Sequence, residues 1–262
     1  MKRLGIIVSL LLLFLIAKSQ QSEFYFRFLE SDKGVINSII TRTISIDRIN
    51  HDTVYAYANS DELKQFEKLG YKYTLLPSLS TLNAKTISIA TTVAQMANWD
   101  KYPTYTVYRA LMKKFEQDYP GLCKLDSIGT TNNNHKIYVV KLSNNVSTEE
   151  PETEVFYTST MHGDETTGFI LMLRLVDYML SNYGIDSRIT SMLNGMAIYI
   201  NPNANPDGTY HSSDNTVSGA IRYNYNYVDL NRNFPDPRMG EHPNGAWQIE
   251  TQIMMNFASS RH

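Results

Sequence analysis

The sequence predicts an α/β domain that is preceded by a smaller α+β unit. Residues 154–165, EVFYTSTMHGDE, begin with β-branched and aromatic side chains and contain no Gly or Pro before Gly163, which indicates a buried strand. The apolar run 169–180, followed by Gly184, predicts a buried helix with a glycine C-cap. Residues 196–200 form a second apolar strand that again ends in a polar turn. Strand, polar turn and helix in this order are typical of α/β sheets, which place ligands at the carboxyl ends of their strands.

The composition narrows the classes of function. The 262 residues carry a net charge of -2 and contain no basic cluster, so we exclude a nucleic-acid-binding surface. The length suits one large domain and one small one. Cys123 is the only cysteine, which excludes an internal disulfide and predicts a buried thiol.

Residues 1–19 have the pattern of a secretory signal peptide. Lys2 and Arg3 precede the apolar stretch 4–17, and Ala17-Lys18-Ser19 is a small-x-small cleavage pattern. Because the apolar stretch is short and polar sequence follows at once, we favour a cleavable signal over a membrane anchor. We therefore expect a secreted or periplasmic protein with no membrane contact beyond the signal.

Residues 22–77 predict the small unit. Alternating apolar side chains at 24–26 and 54–57 indicate strands, whereas the spacing within 35–40 and 63–69 is helical. The resulting order βαββαβ predicts a ferredoxin-like α+β domain. The Ser-, Thr-, Ala- and Asn-rich segment that follows, 78–98, is interpreted as an exposed linker.

Residues 99–262 are predicted to belong to the larger domain. The patterns predict helices at 102–118 and 247–258, and strands at 123–128 and 135–142 in addition to the strands and helix described above.

Two candidate metal ligands follow the opening strand. His162 and Glu165 stand three residues apart at the start of a predicted helix, where an imidazole and a carboxylate can reach one Zn²⁺. The pair alone is weak evidence, since a surface His beside a Glu in a first helical turn has the same sequence.

The segment from Arg222 to Asp236, RYNYNYVDLNRNFPD, is the second informative motif. It contains two arginines and four asparagines, which are costly to bury unless an anion receives them. A guanidinium with a neighbouring amide is suited to binding a carboxylate. A solvated Tyr- and Asn-rich loop is the alternative, and Asn205-Pro206-Asp207-Gly208 by itself is best explained as a turn.

Taken together, these motifs resemble the zinc metallocarboxypeptidases of the carboxypeptidase A and D type. The matching pieces are 162–165, 205–208, Arg222 and 228–236, in the order of the family. The resemblance implies a mixed central sheet with helices on both faces, one Zn²⁺ per site, and removal of C-terminal amino acids from peptides or proteins. We also expect a monomer, and the N-terminal βαββαβ unit looks like the family's activation segment by its pattern.

The resemblance also implies roles for single residues. His162 and Glu165 would be zinc ligands, and Asp229 would accept a hydrogen bond from the ring of His162 and fix its tautomer. Arg222 would polarise the scissile carbonyl and stabilise the oxyanion. Asn231 and Arg232 would hold the terminal carboxylate of the substrate.

The sequence departs from the family in its last part. The family's third zinc ligand, a His, and its general base, a Glu, lie beyond the Asn-Arg-Asn segment, and we find neither, so we interpret the chain as the first part of a longer domain and expect it to be inactive alone. His211 and His242 are expected to be surface residues, and His262 lies slightly too early for the ligand. Two alternatives stay open, a zinc deacylase or amidase on a related scaffold and a non-catalytic module that binds carboxylates or peptides.

Overall fold

The computed structural model describes residues 22–78, 87–237, 240–243 and 245–261. The predicted signal peptide, residues 79–86 of the predicted linker, and His262 lie outside the described residues.

The N-terminal unit has the predicted order βαββαβ. Its four strands form one antiparallel sheet in the order β2-β3-β1-β4, which is the ferredoxin-like arrangement. The aromatic side chains of Phe26, Phe28 and Phe66 join this sheet to the helix that begins at residue 60. The strands are β1 Glu23–Leu29, β2 Ser45–Asn50, β3 Thr53–Asn59 and β4 Tyr73–Leu76; the helical segments are Lys33–Val35, Ile36–Ile40 and Thr41–Thr43, which are continuous, and Ser60–Glu67.

The larger unit is built on a second four-stranded sheet. Two short strands, β5 Ile89–Ala90 and β6 Tyr102–Pro103, pair with each other in parallel before it. The second sheet has the order β7-β8-β10-β9, in which β9 and β10 are parallel and the other pairs are antiparallel. Its strands are β7 Cys123–Thr130, β8 Lys136–Leu142, β9 Thr153–Thr158 and β10 Met196–Asn201.

Helices cover both faces of this sheet. Tyr105–Asp118, Thr166–Asn182 and Ser187–Gly195 pack on one face around Phe169, which is fully buried. Ile249–Ser259 packs on the other face through apolar side chains such as Ile253. The predicted mixed sheet with helices on both faces is therefore confirmed.

Two expectations about burial are wrong. The opening strand β9 is not buried, since it lies at the edge of the described sheet with β10 as its neighbour there, and Tyr157 is 47% exposed. Residues 87–98 are not an exposed linker: Ala90 and Met96 are buried in the core of the larger unit, and Ile89 pairs with Tyr102. The sequence shows no apolar periodicity here because Ala90 and Met96 are isolated buried residues in a segment without a long helix or strand.

Two further observations concern single features. Cys123 carries a free, buried thiol, as the sequence predicts. Within the described ranges, no helix has both the length and the apolar character needed to cross a membrane.

The helix Thr166–Asn182 offers a matched pair of positions for a test of the core. Phe169 packs edge-on against Tyr108, whereas Leu171 is 59% exposed. We expect Phe169→Ala to lower the free energy of unfolding by about 3–5 kcal/mol, because it leaves a cavity, and Leu171→Ala to change it by less than about 0.5 kcal/mol. Urea denaturation measures both, and equal losses for the two variants would contradict the packing described here.

Candidate metal centre

The turn after β9 is held tightly against two other segments. The backbone N–H of Gly163 donates to the carbonyl of Arg222 at 3.2 Å, and the hydroxyl of Thr209 donates to the carbonyl of Gly163 at 3.0 Å. A Cβ added at Gly163 would overlap the backbone of Gly208, so a side chain does not fit there. This contact fixes the position of His162, which immediately precedes the glycine.

Asn205 is the residue that joins these segments. Its side-chain oxygen accepts from the N–H of Gly208 at 2.9 Å and caps the short helix Pro206–Thr209. Its amide nitrogen donates to the carbonyls of Met161 at 3.2 Å and Tyr223 at 3.1 Å. The turn predicted at 205–208 is present, and it also aligns the two motifs that carry the candidate site.

His162 and Glu165 come together as the spacing predicts. The Nδ1 atom of His162 lies 3.0 Å from Oε1 of Glu165, and its Nε2 atom lies 3.1 Å from Oδ1 of Asp229. Two ligands of one tetrahedral zinc stand about 3.3 Å apart, so Nδ1 and Oε1 need to separate by only a few tenths of an ångström to share an ion. The pair fits two positions of a zinc site.

Asp229 is the centre of the hydrogen-bond network. Its carboxylate faces His162 on one oxygen and accepts from Nε of Arg222 at 3.1 Å and from the hydroxyl of Ser45 on the other. The N–H of Asn231 also donates to it, at 2.9 Å. Burial alone would raise the pKa of Asp229, but the hydrogen bond with His162 and the charge of Arg222 hold this pKa well below its usual range.

Arg222 forms an ion pair with a carboxylate of the same chain. Its Nε and Nη2 atoms both lie 3.1 Å from Asp229, and the residue is 8% exposed. The sequence analysis expected an anion to compensate the buried arginine of the 222–236 segment, and for Arg222 this anion is Asp229. Asn231 is exposed and Arg232 is half-buried, so these two side chains differ from Arg222 in facing the surface.

The N-terminal unit lies directly over this network. Tyr25 and Tyr57 pack with Ile221 and Tyr223 in one apolar cluster, and Glu23 accepts from the N–H of Arg222 at 2.6 Å. Burial, reinforced by the negative charge of Asp164, raises the pKa of Glu23 to about 8.

Sequence reasoning missed the contributions of Ser45 and Glu23. Both lie in a unit without any concentration of His, Cys or acidic residues, and they reach the site only through the docking of the two units. No local pattern in the sequence could have identified them.

A complete metal site is not found in the described part of the chain. Among the described residues, no group of three His, Cys, Asp or Glu side chains is placed to hold a metal ion. His211 and His242 are exposed, as expected, and contact Tyr227 and Trp247 respectively.

A known protein family matches the part of the chain that contains these residues. A model of the zinc carboxypeptidase family matches residues 108–260, which is more than half of the chain. This chain belongs to the zinc carboxypeptidase family. The matched range includes every candidate site residue of the larger unit, and the resemblance noted from the motifs is confirmed.

Curated relatives agree with this assignment. The chain is 37% identical over 127 residues to carboxypeptidase D of Mus musculus, an alignment that covers 48% of this chain and 9% of that protein. It is 36% identical over 151 residues to carboxypeptidase M of Mus musculus, covering 56% of this chain and 33% of the relative. The chain thus spans only a small part of the length of these relatives.

Solved structures show the same fold. Carboxypeptidase A from Helicoverpa armigera superposes with a TM-score of 0.62 at 16% identity, covering 90% of this chain and 66% of that one. Thrombin activatable fibrinolysis inhibitor superposes with a TM-score of 0.61 at 17% identity, covering 92% and 68%. Because each alignment covers at least 90% of this chain, the shared fold extends into its N-terminal unit.

The raised pKa of Glu23, a half-buried residue, predicts a pH dependence of stability. The pKa of Glu23 is about 8 in the folded protein, whereas its ordinary value is 4.5. The contribution of Glu23 to the free energy of unfolding is therefore fully present below about pH 4.5 and is lost as the pH rises toward 8. We expect Glu23→Gln, which keeps an acceptor for the N–H of Arg222 but cannot ionise, to remove this loss.

Thermal melts between pH 4 and pH 9 measure the effect. The exposed Glu241→Gln serves as the matched control and should follow the unchanged chain at every pH. A melting profile of Glu23→Gln that declines with pH as steeply as that of the unchanged chain would show that Glu23 does not carry the effect.

Proposed function

We propose that the whole protein is a zinc-dependent carboxypeptidase that removes C-terminal amino acids from peptides or proteins. The observation that carries the proposal is the arrangement around Asp229, which faces the ring of His162 on one oxygen and the guanidinium of Arg222 on the other. The proposed metal ligands, His162 and Glu165, thereby lie beside the cation of Arg222. Asn231 and Arg232 follow Asp229 closely in the chain. We further propose that residues 1–19 direct the protein to a secreted or periplasmic location.

His162 and Glu165 would hold the zinc ion. Asp229 would accept the ring N–H at Nε2 of His162, which would leave Nδ1, 3.0 Å from Oε1 of Glu165, to bind the metal once it has lost its proton. When bound, zinc supplies a Lewis acid for the scissile carbonyl and lowers the pKa of its water to about 7. The remaining ligand and the general base would come from sequence outside the described residues.

Arg222 would stabilise the oxyanion that forms when the peptide bond is attacked. Asp229 engages its Nε and Nη2 groups and holds the guanidinium plane in place. The Nη1 group then remains for the substrate oxygen. A donor that is fixed before the reaction stabilises the developing charge without reorganisation of the site.

Asn231 and Arg232 would bind the terminal carboxylate of the substrate. Arg232 has no carboxylate within ion-pair distance among the described residues, and its Nη1 group donates to the neighbouring carbonyl of Asn231 at 3.2 Å. A planar guanidinium beside an amide can grip a carboxylate from two directions. This grip would restrict cleavage to the last residue of a peptide.

The position of the N-terminal unit adds a condition to this function. Ser45 contacts Asp229, and the ring of Tyr57 lies 5.7 Å from the guanidinium carbon of Arg222. A substrate carbonyl reaches Arg222 only if the N-terminal unit moves or is removed.

The proposed roles separate in kinetic measurements on the full-length protein. We expect Arg232→Ala to raise KM by about tenfold or more, because it removes a charge-assisted contact that is present before the reaction. We expect Arg222→Ala to lower kcat by about 100- to 1000-fold, because its contact with the oxyanion forms only in the transition state. Steady-state kinetics on a blocked dipeptide measure both parameters.

The exposed Arg48→Ala is the control and should leave kcat and KM unchanged. Equal losses in kcat and KM for both site variants would contradict the assigned roles.

Zinc content tests the metal pair without reference to activity. We expect His162→Ala to abolish stoichiometric zinc in the purified full-length protein, whereas the exposed His242→Ala should keep it. Elemental analysis after dialysis measures the content. Zinc that persists in His162→Ala at full stoichiometry would rule out His162 as a ligand.

A further inference from the structure

Thr160 has an unusual backbone conformation in the turn between β9 and the helix Thr166–Asn182. Its φ angle is 58°, which lies in the left-handed region that glycine and asparagine favour. Among the non-glycine residues with positive φ in the described ranges, it alone has a β-branched side chain. A β-branched residue persists in this region only where the surrounding structure holds it there, and such residues concentrate at functional sites.

Backbone hydrogen bonds hold Thr160 in this conformation. The N–H of Asn205 donates to its carbonyl at 3.1 Å, and the N–H of Ala204 donates to the carbonyl of Ser159 at 3.0 Å. The N–H of Ser159 in turn donates to the carbonyl of Asn201 at 3.0 Å. Thr160 is 2% exposed. The turn is therefore fixed to the segment after β10 before the chain reaches His162.

The left-handed residue determines the direction from which the chain reaches His162. β9 ends at Thr158, and Thr160 lies two residues before His162. A residue in this region bends an extended chain sharply. The bend takes the chain out of the sheet, and Nε2 of His162 then lies 3.1 Å from Oδ1 of Asp229. The backbone of Thr160 thus orients His162.

The hydroxyl of Thr160 reaches the other member of the proposed metal pair. Its Oγ1 atom donates to the carbonyl of Glu165 at 3.2 Å. Glu165 is the N-cap residue of the helix and makes no capping hydrogen bond with its own side chain, which is 54% exposed. Since packing does not hold this exposed side chain, the position of its carboxylate depends on its backbone. The hydroxyl of Thr160 therefore holds Glu165 near His162.

The start of the helix packs closely on the same hydroxyl group. The hydroxyl of Ser159 lies 3.2 Å from that of Thr160, and a Cβ added at Gly168 would overlap it. The N–H of Gly168 donates to the carbonyl of Glu165 at 3.1 Å. The first turn of the helix therefore has little room to shift away from the turn that carries His162.

We propose that Thr160 is a positioning residue for the zinc pair, since its left-handed backbone orients His162 and its hydroxyl fixes the backbone of Glu165. The proposal rests on the proposed function, because it takes His162 and Glu165 to be zinc ligands. Ligands that are held in place before the ion arrives lose less conformational freedom on binding, so the affinity for zinc is higher. In this role Thr160 acts through the two ligands and does not contact the ion itself.

The first experiment measures the zinc affinity of the full-length protein by competition with a fluorescent chelator. We expect Thr160→Val, which keeps the branched shape and loses the hydroxyl, to weaken zinc binding by about tenfold, because a group that orients a metal ligand is lost. Thr160→Ser keeps the hydroxyl and should retain the affinity of the unchanged protein. Thr160→Ala also removes the hydroxyl, and it takes the place of the valine variant if that variant does not fold.

A second threonine provides the matched control. Thr104 is also buried, and its hydroxyl accepts from the N–H of Val107 at 3.1 Å at the start of the helix Tyr105–Asp118. We expect Thr104→Val to lower the melting temperature by about 2–4 °C through the loss of this cap and to leave the zinc affinity unchanged. An equal loss of zinc affinity in Thr104→Val and Thr160→Val would trace the effect to general destabilisation and overturn the positioning role.

The backbone strain is tested separately in the zinc-free protein. Asparagine tolerates the left-handed region, and its amide can donate to a carbonyl as the hydroxyl does. We expect Thr160→Asn to raise the melting temperature by about 2–4 °C and to keep the zinc affinity. A melting temperature equal to or below that of the unchanged protein would show that the conformation of Thr160 is not strained, and the role of its backbone would be wrong.

The outcomes separate this inference from the proposed function. If Thr160→Val and Thr160→Ala bind zinc as tightly as the unchanged protein while His162→Ala binds none, Thr160 has no positioning role, and the assignment of the zinc ligand stands. If His162→Ala also keeps its zinc, the ligand assignment fails, and the role of Thr160 fails with it.

Discussion

The candidate site depends on one buried carboxylate, Asp229. It faces His162, accepts hydrogen bonds from Arg222 and Ser45, and is bound by the N–H of Asn231. A buried carboxylate is stable only when several donors replace its lost hydration, and here three of the donors come from the larger unit and one, Ser45, from the N-terminal unit. The same interaction that stabilises the fold therefore orients the ring of His162, the guanidinium of Arg222 and the start of the segment that carries Arg232.

A second constraint is the close packing of backbone around Gly163 and Asn205. Gly163 lies against Gly208 without room for a side chain, and Asn205 bonds to carbonyls on both sides of that contact. These interactions bring the end of β9 and the segment after residue 221 to the same place. His162 and Asp229 are 67 residues apart in the chain, and this packing allows them to meet.

The N-terminal unit is part of the site in the docked arrangement. It supplies a hydroxyl to Asp229 through Ser45 and an acceptor to the backbone of Arg222 through Glu23. The unit covers Arg222 and Asp229, whereas Glu165 and Asn231 are exposed.

The sequence by itself determined the ferredoxin-like unit, the mixed sheet covered on both faces, and the family. It could do so because strands and helices follow from local periodicity, and because His162, Glu165 and residues 222–236 lie within short motifs. Only the tertiary structure decided that β9 lies at an edge, that Ala90 and Met96 belong to the core, and that Ser45 and Glu23 reach the site. These features arise where distant segments dock, and docking depends on the shape and burial of whole surfaces rather than on any local pattern of residues.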